Sequence, residues 1–185
     1  MSQDTIWRCH ICASAYLGSV CPSNCPFCGS RSEYITLSSE YPEDVNDVEI
    51  TEAERADLEA ACQLEITNLT FYKELGEVGD RDDLLPNAFR ALARVEEEHL
   101  SDFSKLLKTP APNKPDNPLT VKDSWVANIE QSHVDEVKAS TFYQEAAARA
   151  TTPRVKQIFT ALSEVEADHI AIDDYMKAFA QANKL

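Results

Sequence analysis

From Thr51 onward, apolar residues recur with helical spacing, and that part of the chain has only two glycines, at 76 and 79. Residues 1–34 carry little of that pattern and hold five of the six cysteines. The pattern predicts four helices. The first runs from about Glu52 to Val78, with Thr51 as N-cap and Glu54 completing a capping box. The second begins near Pro86, a favourable first-turn residue, and ends near Leu107. The third covers about Val121 to Ala150. After a cap at Thr152, Pro153 opens the fourth, which reaches about Ala182. Between the second and third, the stretch TPAPNKPDNP at 109–118 is too rich in proline for helix and reads as extended chain.

Four long helices imply a bundle. Short connections make the first pair and the second pair antiparallel. At about 3 Å per extended residue, the proline-rich connection spans roughly 30–40 Å, the length of the bundle, so it can cross from one end to the other. The acidic stretch at 38–50, SSEYPEDVNDVEI, reads as a linker. The chain therefore divides into a cysteine-bearing domain at 1–37, that linker, and a bundle at 51–185.

The bundle repeats itself. EITNLTFYKE from Glu65 corresponds to EVKASTFYQE from Glu136, an offset of 71 residues. FRALARVEEEHL from Phe89 corresponds to FTALSEVEADHI from Phe159, an offset of 70. The second half is thus a copy of the first, related by a pseudo-two-fold. Each half contains one Glu-x-x-His, at Glu96/His99 and Glu166/His169, and three residues turn a helix by about 300°, so each pair shares a face. Glu65 and Glu136 add one carboxylate each from the other helices. A single Glu-x-x-His on a Glu-rich helix arises readily by chance. Two in frame, with matching apolar flanks and matching partner glutamates, point to metal.

Around these ligands, several side chains have two readings. Tyr72 and Tyr143 follow their glutamates by seven residues, on nearly the same face; they are core aromatics or phenols hydrogen-bonded to the metal layer, and we expect the second. Glu97 and Glu98 point about 100° and 200° away from Glu96 and are expected on the solvated surface. Cys62, three residues before Glu65, is expected to be a buried core thiol, and Cys21 a spare loop thiol. His10, inside the first cysteine pair, is expected to be exposed. His133 is either an additional ligand or a core histidine behind the ligands.

The cysteines form two C-x-x-C turns, Cys9/Cys12 and Cys25/Cys28, and two such turns close a four-thiolate cage. The spacing suits zinc or a single iron equally. No apolar run preceded by basic residues opens the chain, so no signal peptide is expected, and no stretch approaches the ~20 apolar residues that span a membrane. Thiols in a C-x-x-C framework then point to a reducing cytoplasm. The net charge of −15 argues against nucleic acid.

A cysteine cage joined to a duplicated Glu/His bundle resembles the rubrerythrin family over nearly the whole chain. WRCHICASAYLG resembles a rubredoxin first knuckle and CPFCG its second, with twelve residues between Cys12 and Cys25. The bundle ligands resemble those of ferritin-like di-iron proteins, which use a Glu from each of two helices and Glu-x-x-His from the other two. The resemblance implies a mainly α fold: a ferritin-like four-helix bundle with a small N-terminal rubredoxin-like metal-knuckle domain. It implies one iron held by Cys9, Cys12, Cys25 and Cys28, with zinc as the alternative occupant. It also implies a di-iron centre held by Glu65, Glu96, His99, Glu136, Glu166 and His169.

The implied activity is reduction of hydrogen peroxide to water, with electrons relayed from a reductase or small redox protein through the cysteine-bound iron. Family members usually carry the cysteine domain after the bundle; here it comes first. A homodimer is implied, in which one subunit's cysteine domain approaches the other's bundle because the acidic linker holds the two domains of one chain apart. Two departures stand out. Ala13 replaces the usual glycine after the second cysteine, and Ala139 stands where the family usually has an additional glutamate. The six remaining ligands are closer to a symmetric bacterioferritin-like set. That favours an alternative role in oxidising Fe(II) with oxygen or peroxide, while a zinc cage with a binding bundle is a non-enzymatic alternative.

Overall fold

Thr51 caps the first helix as the sequence requires: its hydroxyl accepts from the Glu54 N–H at 3.2 Å, and the Glu54 carboxylate accepts from the Thr51 N–H at 2.8 Å. The computed structural model describes residues 5–80 and 82–185 and is mainly helical. Its helices are α1 (Glu52–Leu75), α2 (Leu84–Leu107), α3 (Trp125–Arg149) and α4 (Pro153–Asn183). Helix α1 packs chiefly on α2 and α3 on α4, giving two hairpins that close into the bundle. Among the described residues, no helix is long and apolar enough to cross a membrane.

Two helix ends differ from the sequence expectation, for local reasons. The regular part of α1 stops at Leu75, where Glu77 and Val78 close tighter turns onto the carbonyls of Glu74 and Leu75. Helix α3 starts at Trp125 rather than near Val121. The Asn128 side chain accepts from the Lys122 N–H at 2.8 Å and donates to its carbonyl at 2.9 Å, holding that segment off the helix axis. Ser124 then caps α3 by accepting from the Ala127 N–H. Residues 108–124 run along the bundle as irregular chain, pinned where Asp116 N–H donates to Gln63 Oε1.

The N-terminal domain is a three-stranded antiparallel sheet with β1 (Thr5–Cys9) between β2 (Ala15–Gly18) and β3 (Ile35–Leu37). Trp7 braces it, its indole N–H donating to the Gly18 carbonyl at 3.1 Å. After each C-x-x-C turn the chain enters the left-handed region, at Ala13 (φ 67°) and Gly29 (φ 76°). Each of these residues donates its N–H at 2.9 Å to the first cysteine of its turn. A Cβ at Gly29 would lie 2.7 Å from Val165 Cγ1 of α4, so glycine is required where this turn meets the bundle.

The small domain sits directly on its own bundle. Arg31 makes a bidentate pair with Asp168 at 2.6 and 3.0 Å, Lys105 donates to the Cys12 carbonyl at 2.9 Å, and buried Arg154 donates to the Ile11 carbonyl at 3.2 Å. The acidic stretch does not hold the two apart. Tyr41 is buried beneath the Arg8 guanidinium, Asn46 accepts from Arg154, Asp47 from Lys108, and Val48 and Ile50 pack on the core. These contacts make it a strap.

Candidate metal centres

The two C-x-x-C turns bring four buried sulfurs together, with Cys9 Sγ 3.8 Å from Cys28 Sγ and Cys12 Sγ 3.7 Å from Cys25 Sγ. A tetrahedral site with metal–sulfur bonds of about 2.3 Å has edges of about 3.8 Å, so the cage has the dimensions of a thiolate-bound ion. All six cysteines are free of disulfides. Crowding splits the four thiols. Hydrogen bonding from Cys12 holds Cys9 and Cys25 below the ordinary thiol range, whereas the contact with Cys25 pushes Cys12 up and the contact with Cys12 pushes Cys28 up. A bound cation is what permits all four to ionise. The Ile11 N–H lies 3.3 Å from Cys9 Sγ, and the buried Ser30 hydroxyl lies 3.2 and 3.3 Å from Cys9 and Cys28 Sγ.

Each of the four helices supplies its part of the second centre: Glu65 from α1, Glu96 and His99 from α2, Glu136 from α3, Glu166 and His169 from α4. All six are buried. Their atoms form two overlapping sets, Glu65, Glu96, His99 and Glu166, and Glu96, Glu136, Glu166 and His169. Glu96 and Glu166 belong to both sets, and Glu65 and Glu136 to one each. His99 Nδ1 lies 3.7, 3.2 and 3.1 Å from oxygens of Glu65, Glu96 and Glu166; His169 Nδ1 lies 3.2, 3.6 and 3.0 Å from oxygens of Glu96, Glu136 and Glu166. The two rings face each other at 6.0 Å and 17°.

These groups fit metal ions because nothing else satisfies them. Both oxygens of Glu96 and Glu166, one oxygen each of Glu65 and Glu136, and both Nδ1 atoms are buried without a hydrogen-bond partner. Stranded lone pairs converging on one another are expensive unless cations lie between them. The electrostatics carry the same strain. Burial, reinforced by Glu96, pushes Glu65 and Glu136 well above the carboxylate range. Burial acts the same way on Glu96, but His169 and His99 outweigh it and hold Glu96 low.

His99 has its tautomer set by the cysteine domain. Its Nε2 lies 3.0 Å from the Cys28 carbonyl oxygen, which can only accept, so Nε2 carries a hydrogen and Nδ1 is left facing the carboxylates as the atom available to a metal ion. His169 instead lines a largely apolar cavity of about 380 Å³, with Ala88 and Leu92 of α2, Ile172 of α4, and Asn24 and Gly29 of the cysteine domain.

The phenols are engaged across the repeat. Tyr72 donates to Glu136 Oε1 and Tyr143 to Glu65 Oε1, each at 2.5 Å, so each half's tyrosine braces the other half's glutamate. Burial and the facing carboxylate push both phenols well above their usual range, which keeps them neutral donors. Glu97 is exposed and paired with Lys73, but Glu98 is half-buried and accepts from Ser14 at 3.5 Å, because the cysteine domain covers that side of α2. His133 is neither ligand nor core: its side chain is 38% exposed and lies 3.5 Å from Asp174. Ala139 is buried and contributes no polar group. Cys62 is a core thiol pushed up to about 11 by burial, Cys21 is a half-buried loop thiol, and His10 packs half-buried against Tyr41.

A four-helix bundle with a buried carboxylate–histidine cluster, beside a four-cysteine cage on a small sheet, defines a protein with two candidate metal centres, consistent with a rubrerythrin-like architecture. No protein-family model matches the chain, and no curated protein matches it.

Several residues at these centres escape sequence reasoning. Ser30 and Lys105 reach the cage only through the fold. Ser132, 2.9 Å from the Tyr72 phenol, and the buried, unpartnered Asp173 stand behind the cluster. For Asp173 a signal existed: it breaks the apolar repeat where the first half has Phe103.

Proposed function

We propose that this protein is a non-haem di-iron peroxide reductase of rubrerythrin type, receiving electrons singly through the cysteine cage. The observation that carries the reading is the hydrogen bond from His99 Nε2 to the Cys28 carbonyl, which joins a cage residue to a cluster residue within one chain. With iron bound, the cage supplies one-electron transfer and the cluster a two-electron reduction of an O–O bond.

The chain's own groups prepare that chemistry. Four carboxylates offset most of the charge of two divalent ions, and Glu96 and Glu166 hold both positions together. The Cys28 carbonyl fixes the His99 ring, while Tyr72 and Tyr143 orient Glu136 and Glu65. Burial of the whole set excludes water. The balanced reaction takes hydrogen peroxide, two electrons and two protons to two waters. An external reductase or small redox protein is the source of the electrons.

The symmetric six-residue set, with a methyl at Ala139, favours a second reading in which the cluster oxidises Fe(II) for iron handling. Metal analysis with a visible spectrum, followed by peroxide consumption with a chemical donor, separates the two. Coloured protein turning over peroxide many times without accumulating iron supports the reductase. Oxygen-driven uptake of many irons per chain supports the second reading, and a colourless zinc cage removes the relay.

A further inference from the structure

Three partly exposed arginines of this chain pair with carboxylates: Arg8 with Glu43, Arg31 with Asp168 and Arg149 with Asp57, at 2.8, 2.6 and 2.7 Å. Arg154 is buried far more deeply, at 6% exposed, yet its hydrogen bonds among the described residues all go to neutral acceptors. Its Nε donates to Asn46 Oδ1 at 2.9 Å, Nη1 to Gln157 Oε1 at 2.7 Å, and Nη2 to the Ile11 carbonyl at 3.2 Å. Carboxylates are not scarce in a chain with 32 acidic residues against 17 basic ones. Arg154 also lies in the first turn of α4, where the positive end of the helix opposes a cation. A guanidinium stays charged in a protein. A buried charge without a partner is expensive, so the anion that answers it must lie within reach.

Burial acts against the charge of Arg154, and Tyr41, Asp102, Cys9 and Cys12 act in its favour. Tyr41 is a phenol that burial pushes above its usual range, so it stays neutral. Asp102 already faces Lys105 at 3.0 Å. That leaves the cage, whose four buried sulfurs must all be ionised to hold a metal ion. The two knuckles differ in what backs them. Successive carbonyls of the first, at Ile11 and Cys12, accept from Arg154 and from Lys105. In the second, Phe27 stands where the first has Ile11 and is exposed, and the Cys28 carbonyl lies against His99. The first knuckle therefore rests on two cations and the second on a cluster imidazole. Of the two cations, Lys105 has its charge offset by Asp102, whereas Arg154 does not.

We propose that Arg154 is a positioning residue of the cysteine cage: its guanidinium, held by Asn46 and Gln157 against the Ile11 carbonyl, is the buried counter-charge of the thiolates and favours the reduced cage. The inference rests on the reading of the cage as an electron relay. In that role the cage takes one electron from the external redox protein and passes it to the cluster. It gains and then loses one unit of negative charge, and no bond is made or broken. A fixed cation beside it stabilises the more negative state the more strongly, so a milder donor can reduce the cage. The thiolates come from the cysteine domain, the cation from α4 and its Asn46 support from the strap. The electrostatics of the cage are thus completed by its seat on the bundle.

The test uses full-length, iron-loaded Arg154→Gln, Arg154→Lys and Asn46→Asp, with iron content and helix content checked first. Redox titration of the visible spectrum reads the cage. Arg154→Gln should shift the balance at least tenfold toward the oxidised cage, a fall of about 59 mV for a one-electron couple. Arg154→Lys keeps the charge and should stay close to the parent. Asn46→Asp keeps Arg154 and gives it a carboxylate where Asn46 Oδ1 now accepts at 2.9 Å, so its potential should fall in the same direction. A merely structural arginine predicts a different pattern, with the glutamine and lysine variants alike and Asn46→Asp at the parent value. That pattern, or parent-like potentials in both Arg154→Gln and Asn46→Asp, overturns the counter-charge; if Arg154→Gln does not fold, Asn46→Asp decides alone. A parent cage with no redox transition overturns the relay reading instead. Retention of cage-bound zinc against a chelator then decides the counter-charge: Arg154→Gln and Asn46→Asp should hold zinc roughly tenfold more weakly, and parent-like retention overturns it.

Discussion

His99 Nε2 lies 3.0 Å from the carbonyl oxygen of Cys28, although 71 residues separate them in the chain. A cage residue thereby touches a cluster residue, with a single hydrogen bond joining the knuckle backbone to the imidazole. The contact lies within one chain.

Breaking the cage should separate the two activities this contact joins. Cys25→Ser removes one of four thiolates and leaves all six cluster residues untouched. Pre-reduced variant should still be oxidised by one equivalent of peroxide, whereas continuous turnover with an external donor should be lost. Stopped-flow and steady-state assays on the same preparation read both. Unchanged steady-state turnover would show that electrons enter elsewhere.

The cage should also respond to charge beneath it. Lys105 donates to the Cys12 carbonyl at 2.9 Å and to Asp102 at 3.0 Å, and Ser30 lies against two sulfurs. Positive charge and hydrogen bonds to sulfur favour the more electron-rich, reduced cage. Lys105→Met should therefore lower the reduction potential, by tens of mV on the order-of-magnitude Coulomb scale for a partly buried charge. The shift stays modest because Asp102, already pushed up to about 6 by burial, takes up a proton once its lysine is gone. Ser30→Ala should move the potential the same way. Redox titration of the visible spectrum measures both.

Glu54 is the main polar tie between the two hairpins. Its carboxylate accepts from the N–H and hydroxyl of Thr51, Thr151 and Thr152, at 2.7–3.2 Å. Burial alone would raise its pKa, but the Thr152 and Thr51 donors outweigh that and hold it down at about 2, below the ordinary 4.5. A depressed folded-state pKa contributes stability that is complete above 4.5 and is lost as pH falls toward 2. Glu54→Gln turns one acceptor into a donor facing donors and should destabilise by roughly 2–3 kcal/mol at neutral pH. Urea unfolding at several acid pH values should show a shallower pH dependence in the variant than in the parent.

The ligands were legible because the chain writes them twice. Glu65, Glu96, His99 and their copies Glu136, Glu166 and His169 recur in frame, and the helix period places each pair on one face. The capping box at Thr51 and the proline start of α4 were legible because both are local. What the sequence hides is contact between elements. Glu98 reads as surface until the cysteine domain covers it, and the acidic stretch reads as a spacer until Tyr41, Asn46 and Asp47 find partners on the other side. His133 shares a helix with Glu136 and lies only three residues away, yet it turns outward to Asp174, which spacing alone does not decide.

The last expectation concerns how still the cluster is. Where a spare carboxylate is available, metal ions can exchange ligands as their charge changes; here the corresponding position is Ala139, a buried methyl three residues after Glu136. His99 is held from behind by the Cys28 carbonyl, and Glu65 and Glu136 are each held by a phenol. Both histidines should therefore remain ligands in the oxidised and reduced states, and crystal structures of the two should show the metals in nearly the same places. The consequence should be weaker discrimination between peroxide and oxygen, because no additional anion competes at the open side. Ala139→Glu places a carboxylate one turn from Glu136, at a packing cost of about 1–3 kcal/mol in so tight a position. Rates of oxidation of the reduced protein by peroxide and by oxygen should then diverge, in favour of peroxide. If the parent already prefers peroxide strongly and the substitution alters neither rate, Ala139 does not set the choice of oxidant; His133, paired outside the cluster, cannot set it either.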